Sequence, residues 1–326
     1  MLRYLQYLIL LSSAIYHYFA TKKEDKQQLP PGELIDIGGY SLHLCCKGEK
    51  KEKPTVVLDH SLGGLDGYFL IDSLKDLTQF CIYDRAGYGW SNSSFLPRNS
   101  DNITIELDLL LSKANIEPPY ILIGDSFGSY NTRLYGHKHP DKVVGIIFVD
   151  GLHEAPMLNM PLPIIIVKAL FFSGFVIAFI GAFFGIIRII DNCGIFELIK
   201  PELNKFNPAI RQQVKRSFYR SRHWLTMAQE MWHLDCSGEY LKIANDLGTI
   251  PIINIKSKTF IRKNIFTWLF SLKTIDRFRN KIHHNLSLIS NNYSQVNANH
   301  SSHFVWLDEP ELIVNAVATM LDSTTE

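Results

Sequence analysis

What the 326-residue sequence lacks narrows its function first. Neither sign of charge is in excess, with 33 lysines and arginines against 32 aspartates and glutamates. No overall field therefore recruits nucleic acid or an acidic partner, and any attraction to a membrane must be local. Cysteine is scarce: Cys45, Cys46, Cys81, Cys193 and Cys236 are odd in number and form no C-x-x-C pair, which argues against both a disulfide framework and a zinc site. Cys45 and Cys46, adjacent on a predicted strand, point to opposite faces and are expected to pack rather than to form a redox pair. Disorder is not the default either, since a chain that is 46% hydrophobic and 20% charged can bury a large core with room for an inserted subdomain.

The most informative stretch present is Gly124-Asp125-Ser126-Phe127-Gly128, directly behind the apolar run Tyr120-Ile121-Leu122-Ile123. A strand feeding a turn with glycine on both sides of a serine is the context in which G-x-S-x-G marks a nucleophile elbow. The turn is tight enough that neighbours bearing a Cβ would clash with the strand or with the following helix, predicted over 129–138.

Along the chain, Tyr4 to Ala20 is a run of seventeen mostly apolar residues between Arg3 and the charged segment Lys22-Lys23-Glu24-Asp25-Lys26. That length just crosses a bilayer as a helix, with tyrosines near both ends suited to the interface. An uncleaved anchor over 1–26 is the expectation; a cleaved signal peptide and an interfacial or packed helix are the competing arrangements. Orientation is not readable, because basic residues flank both sides. Pro30-Pro31-Gly32 ends the anchor. Residues 34–46 then read as two strands joined at Gly38-Gly39, and Thr55–Asp59 as a strand covered on both faces.

After that strand comes His60-Ser61-Leu62-Gly63-Gly64, a loop able to turn a backbone N–H toward a developing oxyanion. Leu62 is the expected donor there, and Phe127, behind the serine, the second. Strand Phe80–Asp84 leads into a glycine loop whose Tyr88 and Trp90 could wall a pocket. A helix is predicted over 103–114, and Val143–Val149 is another buried strand that places Asp150 at its carboxyl end. Strands alternating with helices imply a parallel sheet with sites at the strand ends.

Ala169 to Ile187 is nineteen residues without a charge and holds six phenylalanines; hydropathy alone reads it as transmembrane. Topology opposes that, because a single crossing would part Ser126 from the only catalytic histidine candidates. The segment is expected instead to be a cap helix or a re-entrant element over the site or dipping into one leaflet, or a helix buried against the rest of the cap. Residues 196–247 read as mixed helix whose Arg211, Lys215, Arg216, Arg220 and Arg222 fit a solvated or a headgroup-facing surface, the solvated one being expected. Strand 250–256, a basic aromatic helix over 260–278 and a last strand from Val296 follow. The closing helix is expected to start at Asp308, with Glu311 completing a capping box.

A serine hydroxyl needs a base held in one tautomer by a carboxylate. His303, between the last strand and the last helix, suits the chain order serine, acid, histidine, and His300 is its rival.

At this point the chain resembles the α/β-hydrolase family, in a serine hydrolase branch. The resemblance lies in Pro30-Pro-Gly32, Gly38-Gly39 with Leu42-His43, Leu62-Gly-Gly64, Tyr83-Asp-Arg-Ala-Gly-Tyr-Gly-Trp-Ser91, the elbow, and Ser302-His-Phe-x-x-Leu-Asp-x-Pro-Glu311. It spans roughly 30–155 and 295–322. It implies an α/β, mostly parallel eight-stranded sheet, with core segments 27–155 and 248–326 and a very apolar helical cap, 156–247, inserted after strand 6. It also implies that His303 is the base. The family usually keeps its acid after the penultimate strand, where the run Lys256 to Asn264 lacks any carboxylate and Asp276 is the first available; some members place it where Asp150 stands, so Asp150 is the first choice and Asp276 the alternative. Two residues depart from the pattern: Ser61 stands where the family generally has glycine, and Asp125 where histidine is commoner.

The expectation is a membrane-associated serine esterase or lipase-like hydrolase acting on a small-molecule ester or lipid-like substrate, without metal or organic cofactor. A non-catalytic binding or receptor protein on the same fold is the alternative.

Overall fold

A computed structural model of the chain describes residues 2–50, 52–64, 67–195, 204, 208–260 and 272–324. Eight strands form one sheet: β1 (Glu33–Asp36), β2 (Ser41–Lys47), β3 (Thr55–Asp59), β4 (Phe80–Asp84), β5 (Tyr120–Asp125), β6 (Val143–Val149), β7 (Ile252–Ser257) and β8 (Tyr293–Ala298). Their order is β1-β2-β4-β3-β5-β6-β7-β8. β1 and β2 form a hairpin across Gly38 and Gly39, whose positive φ of 107° and 101° suits glycine. β2 runs antiparallel to β4, and the remaining pairs are parallel.

The period-two alternation of each strand divides the core. Val56, Leu58, Ile121, Ile123, Ile147 and Val149 face one side; Val57, Tyr120, Leu122, Ile146 and Phe148 face the other. Helices α2 (Gly67–Leu74) and Pro310–Ser323 cover the first face; α3 (Ser100–Lys113) and Leu272–Leu286 cover the second. Because both faces are covered, β3 and β5 read as unbroken apolar runs. β8, at the edge, reads as a polar strand instead.

Between β6 and β7 the chain leaves the sheet as α5 (Glu154–Leu158), α6 (Leu162–Phe183), α7 (Ile186–Asn192) and helices Pro208–Tyr219, Ser221–Trp232 and Leu234–Leu241. Among the described residues α6 is the one helix long and apolar enough to cross a membrane by length and composition. It packs against Ser221–Trp232, with Phe172 and Trp232 rings 5.8 Å apart and Lys168 bonded to Asp235 at 2.7 Å. It nevertheless stays largely uncovered, Ala182 being its buried residue.

Helix α1 (Leu2–Gln27) continues through the charged segment that was expected to follow the anchor. Its second half docks on the inserted helices: Ser13 Oγ donates to the Phe184 carbonyl at 2.6 Å, and Glu24 pairs with Arg188 and Arg220. Arg216 and Arg220 are buried by this docking rather than solvated, because their acidic partners lie almost 200 residues away, on α1.

Two further expectations are corrected. Cys46 and Cys81 form a disulfide; they are directly opposed on β2 and β4, a pairing set by register and invisible to motif spacing. Cys45 does pack, buried in the core. The closing helix begins at Pro310, a residue suited to the first helical position, after a short helix Val305–Asp308. Asp308 does not cap it but accepts from the Ser302 N–H and hydroxyl at 3.1 and 2.8 Å. The helix predicted over 260–278 is described from Leu272 and runs on to Leu286; residues 261–271 lie outside the described ones.

Candidate active site

Ser126 follows the last residue of β5 with φ +49°, and Asp150 follows the last residue of β6 with φ +45°. Left-handed backbone is uncommon outside glycine, and two such residues at adjacent strand ends are held there by their surroundings. The Ser126 N–H donates to the Val149 carbonyl at 3.0 Å, and the Asp150 N–H to the Ile255 carbonyl at 2.8 Å. The elbow glycines are required by close approach: a Cβ on Gly128 would stand 2.1 Å from the Asp59 carbonyl oxygen, and one on Gly124 2.3 Å from Thr132 Oγ1. The elbow therefore seats β5 against β3 on one side and helix α4 (Gly128–Lys138) on the other.

The structure brings His303 to Asp150, with Nδ1 and Oδ2 2.6 Å apart. The Phe260 and Phe304 rings flank the imidazole. Asp276 is half-exposed on helix Leu272–Leu286, and His303 makes no described contact with it. The described contact of His300 is made by its backbone N–H, which donates to Glu309 Oε2 at 2.8 Å. The described contacts join His303 to Asp150; none joins Ser126 to His303.

Sequence reasoning missed three neighbours of Asp150. Its Oδ1 accepts from Arg279 Nη2 at 2.6 Å and from the Ser257 N–H at 3.2 Å, and lies 3.2 Å from His283 Nε2. Arg279 and His283 lie four apart, one turn of one helix. That spacing was the available signal, but nothing local said which strand end the turn would face. Burial alone would raise the Asp150 carboxyl. The hydrogen bonds from His283 and His303, and the charges of His303 and Arg279, overcome it and hold the group well below the usual carboxylate range.

The loop after β3 is fixed through a carbonyl. Ser61 O accepts from Arg85 Nη2 at 3.0 Å and from the Gly64 N–H at 3.2 Å, and lies 2.8 Å from His60 Nδ1. In a planar trans peptide the N–H points opposite its carbonyl, so pinning Ser61 O sets the direction of the Leu62 N–H. Arg85 also lies 5.4 Å from the Phe127 ring and bonds Glu230 of helix Ser221–Trp232 through two nitrogens. Tyr88 is bonded to Glu230 at 2.7 Å, and Trp90 lines a cavity beside α1.

Buried histidines make the fold acid-sensitive. Burial and the nearby Arg85 charge hold His60 well below its ordinary value, and burial with Arg133 lowers His153 to about 4. Between pH 6.5 and about 4 the unfolded chain takes up protons that the folded chain refuses. Stability is therefore complete above pH 6.5 and falls below it, by about 1.4 kcal/mol per pH unit for each such histidine. Urea midpoints measured from pH 7.5 to 4.5 should decline through this window; a flat profile would contradict the burial of both rings.

The sheet order, the elbow at the end of β5 and the helices inserted after β6 decide the architecture. The chain has the α/β-hydrolase fold. Solved structures of this hydrolase fold superpose on nearly all of it: the Cif epoxide hydrolase of Acinetobacter nosocomialis (TM-score 0.68, 13% identity, 94% of this chain and 96% of that one), a putative lipase of Acinetobacter baumannii (0.62, 14%, 95% and 97%) and the enol-lactonase of Burkholderia xenovorans (0.60, 15%, 89% and 100%). No protein-family profile matches the chain. Curated relatives match parts of it. They include the uncharacterised Bacillus subtilis protein YbdG (26% identity, 44% of this chain, 45% of the relative) and an uncharacterised vacuolar membrane protein of Saccharomyces cerevisiae (30%, 37% and 21%). The (lyso)-N-acylphosphatidylethanolamine lipase of Bos taurus matches at 29%, over 31% of each chain. The matched stretch spans less than half the length of each of these relatives.

Proposed function

We propose that the protein is a membrane-associated serine hydrolase cleaving ester-type, lipid-like acyl substrates through Ser126, His303 and Asp150. The observation that carries this reading is the 2.6 Å contact between His303 and Asp150, at the strand end next to a serine held with positive φ. Asp150 orients the imidazole so that Nδ1–H faces the carboxylate and Nε2 is free to accept a proton. Ser126 Oγ attacks the acyl carbon as its proton passes to Nε2, and the carbonyl electron pair moves onto oxygen. The Leu62 and Phe127 N–H groups receive that charge. Collapse expels the alkoxide, which takes the proton from His303; water then repeats the sequence and frees the acid.

The substrate class is inferred from apolar surface. α6 exposes Ile177, Ile180 and Phe183, and α1 exposes Leu8, Leu11 and Phe19. One partial relative is named a lipase and another a vacuolar membrane protein. His303 follows α6 in the chain and Asp150 precedes it, so their contact favours α6 lying along one leaflet rather than crossing. Several structural neighbours carry epoxide hydrolase in their names; an epoxide hydrolase would want an aspartate nucleophile where this chain has Ser126.

A fluorophosphonate probe should label the folded protein and not its Ser126→Ala variant. An unlabelled, folded wild type would replace this reading with a non-catalytic binding protein.

A further inference from the structure

Residues of α1, the inserted helices and the loop at Trp90 line a basic cavity of about 470 Å³, among them Thr21, Gln28, Trp90, Arg216, Arg220 and Arg222. A neighbouring cavity of about 330 Å³ shares Arg216 and adds Arg188. Three of these guanidinium groups share two carboxylates. Arg188 pairs with Glu24, Arg216 with Asp25 at 2.8 Å, and Arg220 with both acids at 3.0 Å. Arg222 donates to the Gly89 carbonyl at 2.6 Å.

The pairing is incomplete. Arg216 and Arg220 are 5% and 7% exposed, yet among the described residues Arg216 Nε and Arg220 Nη1 have no hydrogen-bond partner. Buried donors are rarely left unmade, and unmatched buried charge is costly. Burial, then the adjacent Arg216, pulls the Arg220 guanidinium down to about 10, with Asp25 and Glu24 offsetting only part of it. Guanidinium forks match phosphate oxygens in both geometry and charge.

The cavity's position selects the form of phosphate. At the Ser13–Phe184 contact, α1 exposes Leu11, Ile15 and Phe19 while the end of α6 exposes Ile180 and Phe183. Glu24 lies eleven residues further along α1, roughly 16 Å by helical rise. An apolar shelf thus grades into a cationic pocket over the distance from acyl chain to headgroup.

We propose that this cavity holds the phosphate of an anionic phospholipid headgroup, with the exposed apolar faces of α1 and α6 set in the same leaflet. The site is separate from Ser126 and does not depend on the hydrolase reading.

The test is co-sedimentation of the full chain with phosphatidylcholine vesicles, with and without about one-fifth phosphatidic acid. Binding should be at least tenfold tighter to the anionic vesicles and should weaken as salt rises. Arg216→Gln with Arg220→Gln should remove that preference while the far-UV circular dichroism of the folded chain is kept. Should the double variant not fold, Arg222→Gln, which breaks no described ion pair with the α1 carboxylates, should weaken anionic binding severalfold. Equal wild-type binding to both vesicles overturns the proposal. So does stabilisation by inorganic phosphate without any vesicle preference, which would assign the cavity to a soluble phosphate ester.

Discussion

Asp150→Asn should lower kcat/KM on a short p-nitrophenyl ester by about 10³- to 10⁴-fold, with little change in fold. The reason lies in how the two carboxylate oxygens are used. Oδ1 faces three groups, Arg279, the Ser257 N–H and His283, whereas Oδ2 faces His303. An asparagine must place its carbonyl oxygen where the Arg279 donor is, which turns its NH2 toward His303 Nδ1. The imidazole then has to accept at Nδ1 and carry its proton on Nε2, the tautomer that cannot take a proton from serine. Asp276→Asn, half-exposed and without described contact to His303, should leave the rate within about twofold. Loss of rate in the Asp276 variant with retention in the Asp150 variant would overturn the assignment of the acid. Arg279→Gln should fall between them, because it removes one donor to Oδ1 and leaves the carboxylate facing His303.

How much of this was legible in sequence followed the range of the determining contacts. The elbow is local: five residues, the apolar strand before them and the helix after them suffice, and the clashes expected of a Cβ at Gly124 and Gly128 are those the structure shows. The hairpin at Gly38-Gly39, the buried parallel strands and the helices inserted after β6 were legible for the same reason, since periodicity reports covered faces. Asp150 could be placed at a strand end, but its neighbours could not. Arg279 and Ser257 come from 129 and 107 residues away, and the amphipathic helix bearing Arg279 fixes its own inner face without fixing what that face meets. The Cys46–Cys81 bridge depends on cross-strand register over 35 residues. Arg216 and Arg220 read as solvated because their acids sit on α1, whose docking no local pattern announces. Long-range charge partners were thus the systematic loss, at the site and in the cap alike.

Arg85 is the largest such loss, and its replacement should be the most destabilising single change described here. Its guanidinium is fully buried and serves five oxygens: Asp59 Oδ1, the His60 and Ser61 carbonyls, and both carboxylate oxygens of Glu230. Asp59 belongs to β3 and Glu230 to an inserted helix, so one side chain ties the sheet, the loop after β3 and the inserted helices together. Removing one partner of a buried ionic cluster strands the others, at a cost of about 3–5 kcal/mol. Arg85→Met should show that loss in urea unfolding. Its surviving folded fraction should lose kcat/KM further, because Ser61 O is then held by fewer donors and the Leu62 N–H is no longer aimed. Arg85→Lys keeps the charge but offers three donors in place of the five-donor fork, so it should recover part of the stability and little of the rate. That divergence separates the two roles. A general structural residue would restore stability and rate together with the lysine, whereas one that aims the oxyanion loop requires the planar fork that reaches Ser61 and Glu230 at once. An Arg85→Met protein within about 1 kcal/mol of wild type would show that the cluster contributes nothing net to holding the cap on the sheet.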